Sequence, residues 1–138
     1  MNEEKVYVFG HKNPDTDSIC SSIVEEILDK KNGWNCVEAR RIGNVNKETQ
    51  YVLDYLKMDA PEFLEKIEEG QKVILVDHNE FQQSIDGIED AEILSVVDHH
   101  KIANFKTSSP LYYTAKPYGC TATILYEQFK QHEKKKKK

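Results

Sequence analysis

Apolar positions along the chain follow two rhythms. Short runs at Lys5–Phe9 (K-V-Y-V-F), Cys36–Arg40 (C-V-E-A-R), Val73–Val76 (V-I-L-V) and Ile93–Val97 (I-L-S-V-V) have the length and β-branched content of strands. The last two are almost uninterrupted aliphatic, as strands buried on both faces require. Longer amphipathic segments at Ser18–Lys30, Lys47–Lys57 and Cys120–Gln131 read as helices. Ile19, Ile23 and Ile27 on the first, and Val52, Tyr55 and Leu56 on the second, are spaced to line a core-facing stripe. Gly33 stands where the first helix should end. Strand and helix alternate, which predicts an α/β fold with a mostly parallel sheet and helices on both faces.

A chain of 138 residues is the size of one domain, and 38% hydrophobic with 31% charged residues suits a globular core. The expected boundaries are residues 1–132 for the domain and 133–138 for a lysine-rich disordered tail. That tail supplies Lys134 to Lys138, so the body is more acidic than the formal net charge of −5. An acidic body argues against a basic track for nucleic acid and suits a site that collects cations. No apolar run approaches the roughly 18 residues that span a membrane, and the first residues lack a signal-peptide layout, so a cytoplasmic location is expected. Cys20, Cys36 and Cys120 form no C-x-x-C pair and read as buried free thiols.

Three predicted strand ends carry acids and imidazoles. The first runs into Gly10-His11-Lys12-Asn13-Pro14-Asp15-Thr16-Asp17-Ser18, the third into Asp77-His78-Asn79, and the fourth into Asp98-His99-His100. Open α/β sheets place ligands at this carboxyl edge. Four aspartates, Asp15, Asp17, Asp77 and Asp98, would repel one another there, and partial burial adds a desolvation penalty unless cations offset it. Carboxylates with a few imidazoles and no thiolate suit Mn²⁺, Mg²⁺ or Co²⁺, and five or more potential ligands suit two ions. A single Asp-His pair after a strand is more often a hydrogen-bonded loop or a helix cap; two such pairs together with H-x-x-x-D-x-D reverse that balance. His132, in the charged C-terminal stretch, reads as a solvated surface residue.

G-H-K-N-P-D-T-D-S-I, V-D-H-N and V-D-H-H resemble, in order and spacing, the first three signature motifs of the DHH phosphoesterase superfamily. D-T-D-S-I is closest to the form found in its manganese-dependent (family II) inorganic pyrophosphatases. Arg41 to Thr49 and Ser108 to Thr123 are similar to further segments of that family, and the likeness extends from Lys5 to Gln131. The resemblance implies the Rossmann-like N-terminal domain of such an enzyme, which hydrolyses pyrophosphate to two phosphates with two Mn²⁺ or Co²⁺ ions.

Carried over residue by residue, His11, Asp15 and Asp77 bind one ion, and Asp17, Asp77 and His99 bind the second. His100 faces the substrate phosphate, Asp98 orients a ligand imidazole, and His78 and Asn79 support the site by hydrogen bonds. The resemblance also implies a homodimer formed through this domain. The family's fourth-motif aspartate and its basic C-terminal clamp domain have no counterpart here, since no aspartate follows Asp98. Little activity is therefore expected of this chain alone. Two alternatives stand beside this reading: a DHH phosphodiesterase acting on short oligonucleotides or cyclic dinucleotides, and a non-catalytic metal-binding dimerisation module.

Overall fold

A computed structural model describes residues 4–136, with the side chains of residues 135 and 136 left out of the description. Six strands form one sheet: β1 (Val6–Phe9), β2 (Val37–Arg41), β3 (Glu62–Phe63), β4 (Lys72–Val76), β5 (Glu92–Asp98) and β6 (Tyr112–Ala115), in the order β3-β2-β1-β4-β5-β6. Every neighbouring pair is parallel. The expected α/β class with a parallel sheet is what the chain forms.

Three α-helices accompany the sheet: α1 (Thr16–Lys31), α2 (Lys47–Leu56) and α3 (Thr121–Lys136). One face of the sheet is covered by α1 and α3, whose Leu28, Ile124 and Leu125 pack on Val6, Val8, Val37, Ile74, Val76 and Val97. Across the sheet Phe9, Val73, Leu75 and Val96 meet Ile85 and Ile88. Those two lie in the β4–β5 connection, which carries two short 3-10 turns, Phe81–Gln83 and Ile88–Asp90.

The helix stripes differ from expectation in an instructive way. On α1 the buried positions are Ser18, Ile19, Ser21, Ser22, Glu25 and Leu28, while Ile27 is exposed. Small serines let the helix lie close to the sheet, so the contact face is less apolar than an isoleucine stripe. On α2 the core residues are Thr49 and Leu53; Tyr55 is 78% exposed and Leu56 52% exposed. Gly33 does stand just past α1, with φ +94° beyond the C-cap Asn32. The three cysteines are free and half-buried.

Strands β3 and β6 fall outside the four expected runs. β3 has two residues, and β6 (Y-Y-T-A) is an edge strand whose four positions are exposed or half-buried, so neither carries an aliphatic signature. α3 continues past Gln131 to Lys136, into the segment expected as a tail from residue 133. Lysine is a good helix former, and cations near a helix C-terminus are favoured by its dipole. Lys137 and Lys138 lie outside the described residues. His132 sits on this helix half-buried, its Nε2 without a hydrogen-bond partner.

Strand order fixes where a site can form. From β1 the chain moves outward through β2 and β3, then returns to β4 on the other side and continues through β5 to β6. The reversal opens a crevice between the carboxyl ends of β1 and β4, the usual ligand position in such sheets.

Candidate metal centre

Residues leaving β1, β4 and β5 converge on that crevice. The loop after β1 can turn tightly because Gly10 has no side chain: an added Cβ would collide with Ser18 Oγ at the start of α1. Gly43 admits the same loop from the other side, since a Cβ there would strike the Lys12 carbonyl. Thr16 ties α1 to α2 by hydrogen-bonding Glu48 Oε1 at 2.7 Å and meeting Thr49 Oγ1 at 2.9 Å.

Asp77 is the centre of the cluster. It is 1% exposed, ends β4 in the left-handed region at φ 61°, and accepts from Ser18 Oγ at 3.0 Å and Thr121 Oγ1 at 3.2 Å. A left-handed aspartate is uncommon. His11 Nε2 lies 3.3 Å from one Asp77 oxygen and His99 Nε2 lies 3.1 Å from the other. Two donor groups result, His11 with Asp15 and Asp77, and Asp77 with Asp98, His99 and His100, each with ligand atoms within 4.8 Å of one another. Asp77 belongs to both.

Asp15 and Asp17 each also cap a helix. Asp15 is the N-cap of α1, accepting from the Ser18 amide at 2.9 Å, and is 3.9 Å from His11. Asp17 reaches 104 residues along the chain to the start of α3, accepting from the amides of Thr121 at 2.9 Å and Ala122 at 3.0 Å. It also stands 3.8 Å from His99 Nε2. A carboxylate has lone pairs for both duties, so capping does not remove either aspartate from a ligand set.

Asp98, His78 and Asn79 form the scaffold behind the donors. Asp98 is fully buried and accepts from His100 Nδ1 at 2.7 Å and from the His99 amide at 2.8 Å. It therefore holds the ring of His100, whereas the His99 ring is held by the Tyr118 carbonyl, 2.9 Å from Nδ1. Asn79 donates to Asp98 Oδ2 and to the Lys101 carbonyl, both at 2.8 Å, and accepts from the Ala103 amide at 3.0 Å. His78 points away from the donors, with Nδ1 2.9 Å from the Val76 carbonyl and Nε2 2.9 Å from Ser84 Oγ. Burial lowers its pKa to about 4, so the ring is neutral; Nδ1–H donates to the carbonyl and Nε2 accepts from the serine. Tyr118, Thr121 and Ser18 escape sequence reasoning, the first because a main-chain carbonyl leaves no residue signature.

Electrostatics mark the cluster as short of positive charge. His11 is raised above the ordinary histidine value, chiefly by its hydrogen bond to Asp77, against the opposing effect of burial. Asp17 is raised, first by burial and further by Asp77. Burial also acts to raise Asp77, but hydrogen bonds from His11, Asp17 and Ser18 outweigh it and hold the carboxyl well below the usual range. Buried oxygens and imidazoles crowded around two shared positions are the donor set that hard or borderline divalent cations take, so the residues fit such ions.

The chain belongs to the DHH family, matching its N-terminal domain over residues 5–138. Among curated relatives, proteins named as probable manganese-dependent inorganic pyrophosphatases are similar to it. One from Staphylococcus carnosus is 59% identical over 128 residues, covering 93% of this chain and 42% of the relative. Another, from an Exiguobacterium species, is also 59% identical, covering 92% of this chain and 41% of its own. A Methanococcus jannaschii protein, solved as a candidate family II inorganic pyrophosphatase, superposes with a TM-score of 0.80 at 40% identity over 92% of this chain and 39% of that one. An exopolyphosphatase-related protein from Bacteroides fragilis shares the fold at a TM-score of 0.55 and 18% identity. This chain thus spans about two-fifths of the length of the relatives it matches.

Proposed function

We propose that this domain supplies the metal centre of a manganese-dependent inorganic pyrophosphatase, hydrolysing pyrophosphate to two phosphates. The observation that carries the reading is Asp77, shared by two donor groups at the switch point of the sheet. Relatives named for manganese dependence and for this activity support it.

In this assignment His11, Asp15 and Asp77 hold one ion and Asp17, Asp77 and His99 the other, with Mn²⁺ as the resident metal and Co²⁺ or Mg²⁺ as substitutes. Bound divalent ions supply Lewis acidity, which makes water a stronger nucleophile at neutral pH and offsets charge on a transferring phosphoryl group. His100 is the most exposed of the imidazoles, its side chain 46% accessible, and faces the phosphate, oriented by Asp98. His78, Asn79 and Tyr118 keep the donors in place. Two copies pair through this domain into a homodimer in the cytoplasm, with no nucleic-acid or membrane partner. Among the described residues no helix is long and apolar enough to cross a membrane.

Phosphoryl transfer depends on positioned charge, and the relatives extend well beyond the length matched here. Loss of one preorganised donor lowers turnover by about 10²–10³ in other enzymes. Phosphate release measured with Mn²⁺ and saturating pyrophosphate is expected to be far below about 10 s⁻¹, a typical enzyme median. Turnover within about tenfold of that value would show that this domain suffices. Absence of bound Mn²⁺ would overturn the metal assignment itself.

A further inference from the structure

Among the described residues, three of the four buried polar side-chain atoms without a hydrogen-bond partner belong to α1 and α3: Glu25 Oε2, Asp29 Oδ2 and His132 Nε2. Native proteins rarely leave buried polar atoms unpaired, because desolvation without a partner is unfavourable. Glu25 is only 4% exposed. Both acids line a cavity of about 640 Å³ between α1, α3 and the edge strand β6. Glu25 stands eight residues beyond Asp17 on α1, about 12 Å along the axis at the helical rise, so the cavity is separate from the metal centre.

We propose that this cavity binds a small aliphatic diammonium, with Glu25 and Asp29 as its two anionic partners. The acids are spaced i,i+4, which puts them on one helix face with Cβ atoms roughly 5–6 Å apart, a separation that a four-carbon diamine spans. Leu28, Ile74 and Leu94 give the cavity apolar wall for the alkyl chain. Trp34 and Tyr112 also line it, and aromatic rings attract ammonium groups. A lone metal ion is the poorer match. The volume is on the order of twenty waters' share of liquid, and no third His, Cys, Asp or Glu joins the pair in a ligand cluster among the described residues. Burial followed by the neighbouring Asp29 pushes the Glu25 carboxyl up to about 8, and burial raises Asp29 to about 6. A bound dication would return both acids to their ionised form.

The probe is 1,4-diaminobutane, titrated calorimetrically at pH 7 into the 138-residue chain, with 1-aminobutane as the single-charge control. A charge-assisted hydrogen bond contributes about 1.5–3 kcal/mol, or roughly tenfold or more in affinity. The diamine should therefore bind at least about tenfold tighter than the monoamine, and Glu25→Gln or Asp29→Asn should each weaken it by a similar factor. Mn²⁺ affinity should be unchanged in both variants, which separates this site from the metal centre. Equal diamine affinity in the wild-type chain and the double variant would reduce the effect to diffuse attraction by an acidic surface and overturn the proposal. Should the variants fold poorly, Trp34, the single tryptophan of the chain, reports on the unaltered protein. Its fluorescence should change with diamine and not with sodium chloride of equal ionic strength; an identical response to both would also overturn the site.

Discussion

The main-chain carbonyl of Tyr118 lies 2.9 Å from Nδ1 of His99, leaving Nε2 aimed at Asp77. That carbonyl is steadied from α3: the Tyr118 hydroxyl donates to Glu127 at 2.8 Å, and Lys116 Nζ reaches the same carboxylate at 2.9 Å. Tyr118→Phe keeps the ring and removes the hydroxyl. Groups that orient metal-ligating imidazoles are worth about 10–100-fold in affinity, and this latch acts at one remove, so a loss of up to about tenfold in Mn²⁺ affinity is expected. Calorimetric titration measures it; unaltered affinity would mean that the loop holds the carbonyl without the latch.

Asp77→Asn should remove more bound metal than Asp17→Asn, because Asp77 sits in both donor groups and an amide is a neutral, weaker ligand. Asparagine tolerates the left-handed conformation at φ 61°, so the backbone should survive the change. Asp17→Asn should instead lower metal-free stability by about 1 kcal/mol, because Asp17 uses both oxygens on the first amides of α3 and an amide offers only one acceptor. Metal stoichiometry on the two variants separates the roles, and equal losses would argue against sharing.

Mn²⁺ should stabilise the fold by about 2.7 kcal/mol at a hundredfold excess over its dissociation constant, seen as a rise of several degrees in melting temperature. The effect should grow with pH. The raised His11 holds its proton more tightly in the folded, metal-free chain. The stability this contributes is full below about 6.5, the ordinary value, and is lost as pH climbs through the raised one. Metal needs the neutral ring, so its affinity moves the opposite way across that window. A Mn²⁺-induced shift no larger at pH 8 than at pH 6 would contradict the assignment of His11.

Glu25 carries its own pH signature. Its folded pKa of about 8 lies above the ordinary 4.5. Relative stability is thus complete below about 4.5 and declines as pH rises through 8, where the buried carboxyl must ionise without a partner. Glu25→Gln should flatten that decline in urea denaturation at pH 5 and pH 8, with the variant gaining most at the higher pH. Parallel curves for the two proteins would show that Glu25 stays hydrated.

Much of this was legible in the residues. β4 and β5 announce themselves because strands buried on both faces leave an unbroken aliphatic run, and the acid-imidazole pairs follow directly at their ends. β6 stays hidden because an edge strand needs only half its side chains inside, and its Tyr-Tyr-Thr-Ala looks like loop. The α2 stripe misleads because Tyr55 and Leu56 are apolar yet exposed, with Leu53, just before them, taking the buried position. At the site, residue types gave the donors, but the partners of those donors are amides and carbonyls. Nothing in the composition of Thr121, Ala122 or Tyr118 foretells that their main chain would hold Asp17 and His99.

The hold of Asp17 on the first amides of α3 also sets an order of events in synthesis. His11, Asp15 and Asp17 leave the ribosome early, Asp77 and the Asp98-His99-His100 run later, and Thr121 last, 104 residues after the aspartate it pairs with. Until α3 docks, Asp17 lacks its amide partners and Asp77 lacks the Thr121 hydroxyl. Contacts of such sequence separation form slowly, so a growing chain displays acids long before it can cage a cation. On the proposed assignment, capture of metal is deferred until α3 is made, and the closing of α3 onto α1 becomes the step at which a loose chelator would turn into a defined one.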